Sequence, residues 1–231
     1  MALLDDLHAE VATIFHDQWE STMGRTVPVP SSVGLGNKAV EFDEAAVLYA
    51  DLDGSTAMVD TEDWWFSAEV YKTFLHCAAK IIKARNGVIT AYDGDRIMSL
   101  FIGDNKCTNA VTAALQINDA VLNIINPALK ARYSSPFVVR HIVGVDMSPI
   151  RAARTGVRGD NDLVWVGRAA NYAAKLTSMQ SDTPTWITAA VYSRMHRSLK
   201  TQNGQAVWQP RLWTQMNNQQ VYCSSWYWYI R

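Results

Sequence analysis

The apolar run AAVLYADL (45–52) passes without a break into the turn Asp53-Gly54-Ser55-Thr56, and this step constrains the fold more than any other feature of the chain. An apolar run closed by turn residues is a buried strand. The pattern then alternates. Trp64 to Arg85 reads as a long helix that stops at Asn86-Gly87. VITAYDGDRIMSLFIG (88–103) reads as two strands folded about Asp93-Gly94-Asp95, because Asp-Gly between apolar runs is a hairpin signal. Asn105 to about Arg132 is mainly helical, with Val111, Leu115, Leu122, Ile125 and Leu129 on one side; Pro127 is expected to kink or end it early. FVVRHIVGVDMS (137–148) is the next strand, and LVWVG (163–167) is a short strand leading into a helix at about 168–179. The order β, α, β, β, α, β predicts an α+β fold with a ferredoxin-like, antiparallel-containing sheet and helices packed on one face of it.

The two ends differ from this body. Leu3, Leu4, Leu7, Val11, Ile14, Phe15 and Trp19 recur mostly at spacings of three and four, which makes residues 2–20 one stripe of a helix in need of a packing partner. TVPVPSSVGLGN (26–37) reads as a linker, so residues 1–37 form an N-terminal helix and Pro/Gly linker ahead of a main domain at 38–231. Residues 183–231 contain no acid, five bases (Arg194, Arg197, Lys200, Arg211, Arg231) and five of the nine tryptophans. The simplest account is a pair of late strands packed by aromatics. The alternative is that some bases face a polyanion, or that the aromatics form a subunit interface.

Lys plus Arg number 21 against 22 Asp plus Glu, a net charge of −1, so electrostatic capture of nucleic acid or an anionic membrane is not expected. With 48% hydrophobic residues the chain can bury a full core, which excludes overall disorder. Asp5, Asp6 and Glu10 stand where a secretory leader needs bases, and no run approaches the ~20 apolar residues of a membrane span. A cytoplasmic protein is expected. Cys77, Cys107 and Cys223 are odd in number and far apart, and read as ordinary buried thiols.

The candidate chemistry lies in three stretches. Asp51, at the end of the first strand, can hold a divalent cation, while the backbone N–H groups of Gly54, Ser55 and Thr56 can cradle phosphate oxygens. Strand alternation puts Tyr49 on the same face as Asp51, and Ala50 and Leu52 on the other. Asp95, 44 residues further on at the hairpin tip, can join Asp51 in holding two cations roughly 3.5–4 Å apart. In VGRAANYAAKL (166–176), Asn171 and Lys175 share a helix face, and Ala169, Ala170, Ala173 and Ala174 make that helix thin. Each stretch alone has an ordinary structural explanation as a turn, a cap or a surface helix. LYADLDGST also looks like the Asp-x-Asp-Gly-Thr motif of haloacid-dehalogenase-type phosphatases, with Asp51 as nucleophile and Asp53 as general acid. The further acidic cluster such enzymes need has only GDND (159–162) to supply it, and the pattern is not doubly wound.

Together, in this order and at these separations, the three stretches resemble the class III nucleotidyl cyclases over about residues 38–230. The resemblance implies that Asp51 and Asp95 bind two Mg²⁺ or Mn²⁺ ions with the carbonyl of Leu52 as a further ligand. It implies transition-state roles for Asn171 and for Lys175, where the family has an Arg; the charge is kept and the bidentate fork is lost. The purine-reading positions, Lys and Asp in adenylyl cyclases or Glu and Cys in guanylyl cyclases, fall at about Ala91 and Val164. Neither pair is present, and a pocket without those partners discriminates against the purine edge.

Size and the Gly-Arg-Ala-Ala-Asn…Lys helix are similar to the bacterial Pycsar cyclases, which make cyclic UMP or cyclic CMP. UTP or CTP is the implied substrate, with a separate effector protein sensing the product in antiphage defence. Tyr49 replaces the more usual Phe and is a candidate substrate contact, and Arg211 is the nearest base in the tail for the triphosphate. A head-to-tail homodimer is implied. Adenylyl or guanylyl cyclase activity through unfamiliar base contacts, and a nucleotide-binding domain with little turnover, stand as alternatives.

Overall fold

The computed structural model describes residues 2–179 and 182–231. In chain order the elements are α1 (Leu3–His16), β1 (Glu20–Met23), β2 (Lys38–Asp53), α2 (Ser55–Thr61), α3 (Trp64–Ala84), β3 (Val88–Asp93), β4 (Arg96–Phe101), α4 (Lys106–Ala120) and α5 (Asn126–Arg132). There follow β5 (Arg140–Val157), β6 (Asp160–Val166), α6 (Arg168–Leu176), β7 (Thr185–Thr188), α7 (Ala189–Arg194), β8 (Thr201–Gln202), β9 (Gln205–Ala206), β10 (Gln209–Trp213) and β11 (Gln219–Ser224). A mixed sheet runs β10-β11-β7-β5-β2-β4-β3, with β1 beside the head of β2 and β6 beside the far half of β5. β2 is antiparallel to both β4 and β5, and β7 is parallel to β5. This is the expected α+β class, and it leaves no place for a doubly wound phosphatase sheet.

Alternation along β2 builds two cores. Ala46, Leu48, Ala50 and Leu52 face α3 and α4, where they join Phe74, Ile82, Leu115 and Ile117. Ala45, Val47 and Tyr49 face α6, where Ala169, Ala170 and Ala173 pack against them. The helices therefore cover both faces rather than one. The connection after 148 belongs to β5, which continues as a hairpin with β6 from Arg151–Val166 to Val157–Asp160. Pro127 does not end the fourth helical stretch: Val121–Ile125 form a π turn, and Pro127 sits in the first turn of α5, where its missing N–H costs nothing.

At the N-terminus, β1 pairs in parallel with Lys38–Glu41, so the sheet reaches back to Glu20 inside the segment expected to be helix and linker. Val33 is buried, and the Asn37 amide donates to the carbonyls of Ile14 and Asp17. α1 forms as expected, but no residue of it is buried. Its apolar stripe is left about half exposed or more. At the other end, Trp186, Trp208 and Trp213 are buried in the late strands and their surroundings, as the simpler account of the aromatics requires. Beyond β11 the chain runs extended across α4. Trp228 N–H donates to the Leu115 carbonyl, the Asn118 amide donates to the carbonyls of Ser225 and Trp226, and Ile230 N–H donates to Asp119. Gln116, Asn118 and Asp119 are otherwise a buried polar row on a helix, so the tail supplies the partners they need. Among the described residues no helix is long and apolar enough to cross a membrane.

Two points of the core are sensitive. Gly144 on β5 lies opposite Tyr49, and a Cβ there would stand 2.2 Å from the Ala173 carbonyl oxygen. Gly144→Ala must lift α6 from the sheet, and a loss of about 1–3 kcal/mol is expected in denaturant unfolding. His141, opposite Leu52, is buried against Phe74, and burial pushes its imidazole down from 6.5 to about 4. Between those values the unfolded chain binds a proton that the folded chain refuses, so stability falls as pH falls through this window, by on the order of 3 kcal/mol in all. In His141→Phe the stability curve should flatten between pH 6.5 and 4; an unchanged slope would remove His141 from the acid response.

Candidate active site

The strand β2 ends in Asp51-Leu52-Asp53, and Gly54 turns the chain with φ +79 into α2. Only glycine takes that backbone region without strain. The N–H groups of Ser55 and Thr56 therefore open a helix with no intrahelical acceptor of their own, as a phosphate cradle requires. Gly94, at φ +60, closes the β3–β4 hairpin and sets Asp95 at its tip.

Asp95 comes near enough to Asp51 for its charge to bear on that carboxylate. Burial raises the Asp51 pKa above the ordinary carboxylate range; hydrogen bonding and the charge of Arg96 pull it back, and the charge of Asp95 pushes it up. Arg96 donates to Oδ2 of Asp51 from Nε at 3.1 Å and from Nη2 at 2.9 Å. Oδ2 of Asp95 is buried with no hydrogen-bond partner. A buried anionic oxygen left bare is costly, so this pair suits a bound cation. Among the described residues no cluster of three His, Cys, Asp or Glu could hold a metal. Two carboxylates, the Leu52 carbonyl, water and substrate oxygens are nonetheless the donor set that Mg²⁺ or Mn²⁺ accepts beside a phosphate.

Tyr49 stands on the Asp51 face, half-buried, and burial raises its hydroxyl pKa while Arg96 lowers it. Met98 of β4 lies opposite Tyr49 on one side and Ala91 on the other, so Tyr49, Met98 and Ala91 form one cross-strand row. Ala91 thus puts no polar group where a purine reader would stand. Val164 is on β6, opposite Ala153.

α6 is fixed from below. Gly167 lets its first turn approach β5, since a Cβ there would meet the Pro149 carbonyl at 2.7 Å. Arg168 donates to both oxygens of Asp146, at 3.1 and 3.2 Å, and to the Met147 carbonyl at 2.7 Å. Thr188 donates to the same carboxylate, which is fully buried. On the outer side of this anchored helix Asn171 is exposed, and Lys175 reaches only the Met216 sulfur at 3.7 Å. Among the described residues no hydrogen bond or ion pair joins either of them to Asp51 or Asp95. Arg211, on β10, bonds the Pro210 carbonyl and Gln209 and likewise stands apart from the carboxylates.

Arg96 and Tyr71 are site residues that the motifs do not name. The register offered a signal for Arg96: one step beyond the Ala50–Ile97 pair it stands opposite Asp51, and on its other side it pairs with Asp93. Tyr71, on α3, lies beside Ser55, and its hydroxyl pKa is raised by burial and then by Asp95 and Asp51. A tyrosine in a long amphipathic helix gave no such sign.

No protein-family model matches the chain. It is 52% identical over 231 residues to a uridylate cyclase of Burkholderia cepacia and 51% identical over 232 residues to one of Xanthomonas perforans, with 100% of each chain covered in both cases. A uridylate cyclase of Rhodovulum sp. is 34% identical over 99% of this chain and 98% of its own. In fold the chain is similar to the adenylyl cyclase CyaB of P. aeruginosa, with a TM-score of 0.67 and 17% identity over 80% of this chain and 95% of that one. The guanylyl cyclase Cya2 gives a TM-score of 0.67 and 16% identity over 80% and 91%. With a class III cyclase fold and full-length relatives of one kind, this chain belongs to the uridylate cyclase family.

Proposed function

We propose that the protein converts UTP to 3′,5′-cyclic UMP and pyrophosphate. The observation that carries this reading is the meeting of Asp51, the bare oxygen of Asp95 and the Gly54-Ser55-Thr56 turn, on a face whose base-reading row is Tyr49, Met98 and Ala91. The names of the relatives select UTP over CTP.

Asp51, Asp95 and the Leu52 carbonyl would hold two divalent cations, Mn²⁺ or Mg²⁺. The chemistry such cations supply is a lowered pKa at the substrate's 3′-hydroxyl and neutralisation of the departing pyrophosphate. The α2 turn holds phosphate oxygens through its N–H groups, and Tyr71 steadies that turn through Ser55. Tyr49 offers a hydroxyl beside a row that otherwise bears no hydrogen-bonding side chain, which favours a small pyrimidine over a purine edge. Asn171 and Lys175 donate to charge developing on the α-phosphoryl group; their exposure and their distance from the carboxylates' contacts support delivery from a second copy in a head-to-tail homodimer. The cyclic nucleotide then leaves for a separate effector protein, as in the antiphage systems the sequence resembles.

Purified protein incubated with Mn²⁺ and each of the four nucleoside triphosphates should yield cyclic UMP plus pyrophosphate by mass spectrometry. Purine products alone would sink the pocket argument. Asp51→Asn and Asp95→Asn should each lose about a hundredfold or more in kcat. Arg96 competes with cations for Asp51, so Arg96→Met should tighten Mn²⁺ binding to the nucleotide-free protein by about fivefold in calorimetric titration. Weaker binding would show that Arg96 helps the site rather than guards it.

A further inference from the structure

Where the extended tail crosses α4 it leaves a groove of about 740 Å³, within the range that holds a small organic ligand. The groove is walled by the end of α3, by α4, by β8 and by residues 225–231, and by nothing from β2, the β3–β4 hairpin, α2 or α6. It therefore lies away from the carboxylate pair. Along α3 alone, Arg85 stands 14 residues beyond Tyr71, roughly 21 Å at the helical rise.

Two guanidiniums and no Asp or Glu line it. Neither Arg85, which is partly buried, nor Arg231 makes an ion pair among the described residues. Arg85 is aimed by its Nε, which donates to Oε1 of Gln116 at 2.8 Å, and the same Gln116 amide donates to the Tyr229 carbonyl at 3.3 Å. Gln116 is 2% exposed, so one buried side chain fixes both Arg85 and the tail. The terminal nitrogens of Arg85 have no partner among the described residues. Asp119, beneath the tail, is already engaged by Ile230 N–H and the Asn123 amide. A partly buried cation without an anion is costly, so the groove suits an anionic ligand.

The rest of the tail's share is aromatic. Trp226 and Trp228 pack on the core, and Tyr227 and Tyr229 alternate with them, edge to face with ring centroids 5.2 Å apart. Tyr229 is 64% exposed. An open ring beside an unpaired guanidinium offers a stacking face next to a phosphate fork, the combination that holds a nucleotide. A phosphate monoester carries about −1.5 to −2 charges at neutral pH, which two arginines match.

We propose that this groove is a nucleotide site separate from the carboxylate pair, taking a nucleoside monophosphate with its phosphate between Arg85 and Arg231 and its base against Tyr229. Such a ligand fastens the tail to α3 and α4.

Calorimetric titration of the full chain with UMP in metal-free buffer tests it, because the carboxylate pair then has no cation to hold a phosphate. UMP should bind, and uridine and inorganic phosphate should each bind about tenfold more weakly or worse. Arg85→Gln and Arg231→Gln should each weaken UMP about tenfold, and Tyr229→Ala should weaken UMP while leaving phosphate as it is. UMP should raise the Tm of the wild type and of Asp95→Asn but not of Arg231→Gln. Arg231 and Tyr229 are exposed, so their variants decide the matter even where Arg85→Gln disturbs the Gln116 hydrogen bond. No UMP binding overturns the site, as does binding that ignores Arg231→Gln. Phosphate or uridine binding as tightly as UMP overturns the nucleotide, and UMP binding lost in Asp95→Asn returns it to the carboxylate site. The titration needs no turnover: a chain that forms cyclic UMP and ignores UMP sinks this site alone, and one that binds UMP without cyclase activity leaves it standing.

Discussion

The antiparallel ladder between β2 and β5 is the constraint on which the rest depends. It runs from Ala39–Ala153 to Asp53–Arg140, with one register shift between Phe42 and Ala45. Because side chains alternate, that shift decides which residues face α6 and which face α3 and α4. A slip of one residue beyond it would turn Tyr49 and Asp51 toward α3 and α4 and bring Ala50 and Leu52 to the α6 face. The same ladder puts Gly144 under α6 and Asp146 beside Val47. The strand beneath α6 and the strand that carries Asp51 are thus a single hydrogen-bonded unit.

Two buried acids show how the fold separates structure from function. Burial raises the pKa of both Asp51 and Asp146. Asp146 is answered on both oxygens by Arg168 and again by Thr188, so it anchors α6 and has little capacity left for a ligand. Asp51 is held by one arginine on one oxygen, beside a neighbour, Asp95, whose own oxygen is bare. Saturated pairing makes a joint, and incomplete pairing makes a site.

Much of this was legible in the sequence because it rests on local pattern. The helix Trp64–Ala84, the hairpin about Gly94, the facing of Tyr49 with Asp51 and the thin alanine face of α6 follow from period and turn chemistry alone. What was not legible rests on tertiary partners. The π turn absorbs Pro127, which local rules treat as a breaker. β1 exists because β2 offers it an edge, although its own four residues are exposed and polar enough to read as loop. β5 runs on to Val157 because β6 folds back on it, where the Gly and Arg content suggests a connection. Tyr71 enters the site only because α3 packs beside the α2 turn.

The extended tail across α4 has a consequence for how the molecule is made. Gln116, Asn118 and Asp119 sit in mid-chain, yet the groups that complete their hydrogen bonding come from Ser225 to Ile230. These partners are 107 to 113 residues apart in sequence. Contacts of such separation carry a loop-closure cost that local helix formation does not, so α4 forms with an open polar seam and the extended segment closes it late in folding.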